Sequence, residues 1–101
     1  MIKQTVLYEH SAEPTVLEKY YEDIHAPIAQ KMTGMEKVEL TKFLDAPDGS
    51  KQSHYRMAGF WFTSPEALNA TTSSPEGQAA VNDLQNFVTG GVEFLVGVVE
   101  S

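Results

Sequence analysis

The chain has 101 residues, enough for one domain and one core. Lys+Arg 7 against Asp+Glu 14 leaves a formal charge of -7, which argues against nucleic acid and anionic membrane surfaces as partners. There is no cysteine, so disulfides, thiolate metal sites and cysteine nucleophiles are excluded.

The opening MIKQTVLYEH lacks an apolar signal core and runs directly into a strand pattern over Ile2 to Tyr8. Glu13-Pro14-Thr15 opens a helix, with proline in the first turn, where its missing N–H costs little. Leu17, Tyr20, Tyr21, Ile24, Ile28 and Met32 recur at spacings of three and four, predicting one amphipathic helix that stops at Gly34. A second strand is expected over Val38 to Leu44, then the polar loop DAPDGSKQS, then a strand over Tyr55 to Phe62. Ser64-Pro65-Glu66 and Ser74-Pro75-Glu76 each combine a capping hydroxyl, a proline preset for helical φ, and an acid for the positive helix end. Gly90-Gly91 closes the second of these helices, and Val92 to Val99 is the last strand. Its FLVGVV is the longest apolar stretch and is too short to span a bilayer, so a soluble cytoplasmic protein is expected.

The order is βαββαβ, an α+β class in which a four-stranded antiparallel sheet carries its helices on one face, the ferredoxin-like fold. Alternation sends Ala58, Phe60 and Phe62 to one side of the third strand, and Tyr55, Met57 and Trp61 to the other. The fourth strand likewise splits Val92, Phe94, Val96 and Val98 from Leu95 and Val99. Helices can cover only one of these apolar faces, and the other exceeds the few hundred Å² that monomers tolerate. A homodimer through the sheet faces is the expected cover.

The first helix contains a contradiction, because Pro27 cannot bond the carbonyl of Asp23 and its ring crowds that oxygen. A kink or break is therefore expected near His25-Ala26. At roughly 65° from the centre of the apolar stripe, His25 falls at its edge, where a half-buried ring reaches a cavity between helix and sheet. Two readings of His25 stand on spacing alone: an acid–base residue, or a donor to a carbonyl stranded by the break. His54 reads as solvated or strand-edge, and His10 as a loop residue. Asp83 reads as a surface or loop-anchoring residue, with Glu22 and Asp23 solvated. No clustered metal ligands, phosphate loop or nucleophile elbow is present, so no metal and no cofactor is expected. The aromatics divide between core, interface and cavity wall.

The segments YYEDIHAPIAQKMTG, YRMAGFWFTSPEAL and SSPEGQAAVNDLQNFV together resemble the EthD family of dimeric α/β barrels. The resemblance rests on Tyr21, His25, Pro27 and Gly34, then Phe62, Ser64, Glu66 and Leu68, then Ser74, Pro75, Glu76, Asp83 and Phe87. It covers nearly the whole chain and implies a single EthD-like domain over residues 1–101, the sheet-to-sheet dimer, and a functional His25. The family is named for an association with ethyl tert-butyl ether degradation. Its structural relatives include cofactor-free oxygenases, isomerases, cyclases, decarboxylases and haem-handling proteins, so the resemblance leaves the reaction open.

The leading expectation is a cofactor-independent enzyme for a small apolar or aromatic metabolite. His25 would act as general acid–base and Tyr21 as its catalytic partner, with Tyr8, Tyr55, Trp61 and Phe94 holding the substrate. The alternatives are a ligand-binding accessory protein of a degradation pathway and a haem protein with His25 as axial ligand.

Overall fold

The computed structural model of the chain describes residues 1–11, 13–88 and 91–100. Four strands, β1 (Ile2–Tyr8), β2 (Lys37–Lys42), β3 (Arg56–Phe62) and β4 (Val92–Val98), form one antiparallel sheet in the order β2-β3-β1-β4. The helical segments are α1 (Pro14–Tyr20), a π-helical turn (Tyr21–His25), α2 (Ala26–Ala29), α3 (Pro65–Ser73) and α4 (Pro75–Leu84). This is the ferredoxin-like α+β arrangement expected from the element order. β2 ends at Lys42, two residues before the expected Leu44, although the N–H of Phe43 still donates to the carbonyl of Tyr55 at 3.0 Å. The Gly90 half of the expected glycine stop lies outside the described residues, while Gly91 has φ 104°.

The two serine caps form as their chemistry requires. Ser64 Oγ accepts from the N–H of Ala67 at 3.1 Å, and Ser74 Oγ accepts from the N–H of Gly77 at 3.1 Å. Gly77 lets α4 start against α3, since a Cβ there would collide with the carbonyl of Thr71. In the first helical segment the break beside Pro27 takes the form of a wide turn. The N–H of Ala26 bonds the carbonyl of Tyr21, five residues back, which moves the proline ring off the carbonyl it would otherwise strike. A turn closed this way contains more residues than an α turn, so the inward line becomes Leu17, Tyr21 and His25 at spacings of four. Ile24, expected on the buried stripe, is 44% exposed, and His25, expected half buried at its edge, is only 5% exposed.

The ladder register sorts the two sheet faces. Tyr8, Val6, Ala58 and Phe62 face the helices and are buried with Leu17, Tyr21, Leu84 and Phe87. The opposite face carries Leu7, Met57, Trp61 and Leu95, but also Lys3, Lys37, Glu39 and Glu93. It is more mixed than the apolar residues of β3 and β4 alone imply, because β1 and β2 contribute Lys3, Lys37 and Glu39 and β4 itself contributes Glu93.

Candidate functional site

The space between the first helical segment and the sheet holds a cavity of about 230 Å³. β1 brings Tyr8 to it, the π turn brings Tyr21 and His25, β2 brings Val38 and Leu40, and β3 brings Ala58 and Phe60. Nearly all the lining is apolar, with no Lys, Arg, Asp or Glu among the described residues. The one basic side chain is His25.

His25 is held on three sides. Its ring lies 4.9 Å from that of Phe87 and 5.5 Å from that of Tyr21, centroid to centroid. Its Nδ1 is 3.0 Å from Oδ2 of Asp83, whose side chain is 7% exposed. Asp83 also accepts from the Tyr20 hydroxyl at 2.7 Å and from Asn86 Nδ2 at 3.1 Å. Burial pushes the Asp83 carboxyl upward, but the hydrogen bonds from Tyr20, Asn86 and His25 outweigh it and hold the group below the usual carboxylate range. An ionised Asp83 only accepts hydrogen bonds, so Nδ1 of His25 carries a proton, and in the neutral ring the lone pair is therefore on Nε2. No described residue bonds Nε2. The arrangement is that of a base oriented by a carboxylate, able to take a proton from a molecule in the cavity while Asp83 stabilises the resulting imidazolium.

Tyr8 and Tyr21 sit edge to face at 6.0 Å. Burial raises the Tyr8 phenol well above its ordinary value, with a further push from Tyr21 and partial relief from Arg56. Burial also raises Tyr21, against the pull of Arg56. Both phenols stay protonated at neutral pH and can act as hydrogen-bond donors, for example to a developing oxyanion. Behind Tyr21, the Arg56 guanidinium lies 4.2 Å over its ring, and Nη2 donates to Oε2 of Glu18 at 3.0 Å. Arg56 itself is 8% exposed, and its Nε has no partner.

The expected site residues separate. His25, Tyr21 and Tyr8 share the cavity, and Phe94 lines a smaller adjoining space that Tyr8 and His25 also border. Tyr55 does not reach the cavity: it precedes β3, and its hydroxyl donates to Glu18 at 2.6 Å. It lines instead a different cleft with His10 and His54. Trp61 is on the opposite sheet face, between the ammonium groups of Lys3 at 4.6 Å and Lys37 at 4.8 Å. Alternation from Ala58 requires that placement, because residues three apart on a strand point to opposite faces. Asp83, expected at the surface, is the partner of His25. The signal for it was its position on the inward stripe of α4, three residues after Ala80 and four before Phe87.

A porphyrin does not fit this cavity. Among the described residues no Lys or Arg lines it to pair with the propionates of a haem, whose two carboxylates would be left unpartnered. Among the described residues no three His, Asp or Glu side chains converge on a point that could hold a metal ion.

Known proteins agree with this architecture. Residues 10–91 match the family model of the EthD domain. The chain is 34% identical over 95 residues to an uncharacterised 11.0 kDa protein of Rhodococcus erythropolis from the thcB-thcC intergenic region, covering 94% of this chain and 91% of that one. The crystal structure of an ethyl tert-butyl ether D (EthD) family protein of Bacillus halodurans superposes with a TM-score of 0.90 at 24% identity, covering 99% of both chains. A dimeric ferredoxin-like protein of unknown function from Jannaschia superposes with a TM-score of 0.69 at 18% identity, over 97% of this chain and 98% of that one. By sequence match and by fold together, this chain belongs to the EthD family.

Proposed function

We propose that the chain is a small-molecule enzyme in which His25, oriented by Asp83, moves a proton on an apolar or aromatic substrate bound between the π turn and the sheet. The carrying observation is the 3.0 Å contact from Nδ1 of His25 to Asp83, made by a ring that also lines the cavity with Nε2 unpartnered. A carboxylate holding only the far nitrogen of a buried imidazole leaves the near nitrogen to do chemistry. Tyr21 and Tyr8 supply donors beside it. The reaction is of oxygenase, isomerase, cyclase or lyase type, each of which starts from removal or delivery of one proton.

The working unit is a homodimer joined through the sheet faces. Leu95 is 51% exposed and Val99 is 42% exposed on the side away from the helices, the face that also carries Leu7 and Met57. Covering that face excludes water from it, and a ferredoxin-like relative of similar length is dimeric.

The test incubates wild type and His25→Gln with an extract of apolar metabolites and follows them by mass spectrometry. At least one compound should be converted by wild type and spared by the variant, which should keep the circular dichroism and sedimentation of wild type. A compound that is retained by the wild-type protein but never converted would replace this reading with that of a binding protein.

A further inference from the structure

The His25 cavity does not end at His25. Tyr8, His25, Ala29 and Phe60 also line a narrow waist of about 50 Å³ that passes beneath α4 and crosses β1. Gln4, Thr72, Val81 and Phe94 in turn are shared between the waist and an outer chamber of about 410 Å³ at the β4 edge. The three spaces therefore adjoin in a row through these shared residues, an apolar trough laid across the strand order β2-β3-β1-β4 from the half-exposed Val38 and Leu40 to the half-exposed Phe94 and Val96. Three strand spacings make it roughly 14 Å long.

Along this whole path no Lys, Arg, Asp or Glu lines the wall among the described residues, and the polar groups beyond the waist are Gln4, Asn69 and Thr72. The cleft beside His10 differs, being lined by Lys42, Lys51 and Asp45. Such a trough rejects a charged tail and rewards a neutral one, since a buried charge without a partner is costly. The narrow waist excludes branched or ring-bearing tails.

We infer that the site takes an elongated neutral ligand, with its reacting head beside His25 and an unbranched aliphatic tail running under α4 to the β4 edge. The placement of the head rests on the proposed role of His25, whereas the tail path rests on the trough alone.

The probes are 4-alkylphenols with tails from methyl to octyl, titrated calorimetrically into the protein. Affinity should rise by up to about fourfold per added methylene while the tail is being buried, then level off once it reaches the β4 edge. Val81 is 50% exposed and lines both waist and outer chamber, so Val81→Trp narrows the passage at little cost to folding. In that variant the gain should stop at a shorter tail, with 4-methylphenol bound as in wild type. Val96→Trp, at the far mouth, is the second occluding variant should the first fail to fold. Chain-length-independent affinity in wild type, no binding by any member, or normal lengthening gains in both variants would each overturn the inference. His25→Gln separates the two ideas. A gain per methylene that persists in this variant shows that the trough holds the tail whatever His25 does, while failure of wild type to convert any apolar metabolite counts against the role of His25 alone.

Discussion

Replacing Asp83 by Asn tests the central pair most directly, because it keeps the shape of the side chain and removes its charge. Three groups donate to Asp83, but Tyr20 is only partly buried and Asn86 is exposed, so water can replace those two bonds. The bond from His25, at 5% exposure, has no such substitute. A hydrogen bond to a charged acceptor contributes about 1.5–3 kcal/mol and a neutral one about 1 kcal/mol. Asp83→Asn can still accept from Nδ1, so it should cost about 1–2 kcal/mol. Asp83→Ala strands a buried donor and opens space, and should cost about 2–4 kcal/mol. The pH dependence has a definite sign. The folded-state pKa of Asp83 lies below its ordinary 3.8, so its stabilisation is complete at neutral pH and disappears as pH falls through the depressed value. The gap between wild type and Asp83→Asn should therefore be widest at neutral pH and shrink by about pH 3. Urea unfolding at one fixed protomer concentration measures it. The reasoning fails if the two proteins differ by less than about 0.5 kcal/mol at neutral pH, a typical surface effect, or if the gap is the same at both pH values.

Glu18→Gln removes the counter-charge of buried Arg56. Because the Glu18 side chain is 21% exposed, a cost of about 2–3 kcal/mol is expected, below the full value for breaking a buried pair. Burial pushes Glu18 upward, but hydrogen bonds from Tyr55 and Arg56 and the charges of Arg56 and Lys42 hold it below its ordinary value, so this cost should also fade in acid, as read by urea unfolding. Gly34→Ala should destabilise by about 1–3 kcal/mol in thermal unfolding, because φ is 94° and the new Cβ would lie 2.6 Å from Oγ1 of Thr71. Leu95→Glu on the outer sheet face should convert the proposed dimer to a folded monomer in sedimentation velocity, and unchanged sedimentation would remove the sheet-to-sheet assembly.

The charge cluster behind Tyr21 gives the site a rigid back wall. Burial raises the Tyr55 phenol to about 12, with the Glu18 hydrogen bond and charge adding to it, so Tyr55 stays a donor to Glu18. Glu18 in turn holds the guanidinium that lies over Tyr21. Tyr21 is thus packed against a fixed cation on one side and the cavity on the other, which restricts its ring before any ligand arrives.

What the chain by itself determined is local. Ser64 and Ser74 cap helices because a hydroxyl and the following N–H groups are neighbours in sequence, and Pro27 interrupts the α-helical ladder wherever the chain goes. The strand alternation placed Ala58 and Trp61 on opposite faces, and the EthD resemblance rested on residues that the match over 10–91 now spans. Tertiary structure decided which of those parts meet. His25 and Asp83 are 58 positions apart, and no local rule joins them. Their contact needs the π turn to bring His25 inward and α4 to pack against that turn. Tyr8, Tyr55 and Trp61 look alike as strand aromatics, yet ladder register sends one to the cavity, one to Glu18 and one between two lysines. Propensity and capping act over a turn or two, whereas a site is assembled across a sheet, where a shift of one residue moves every side chain to the other face.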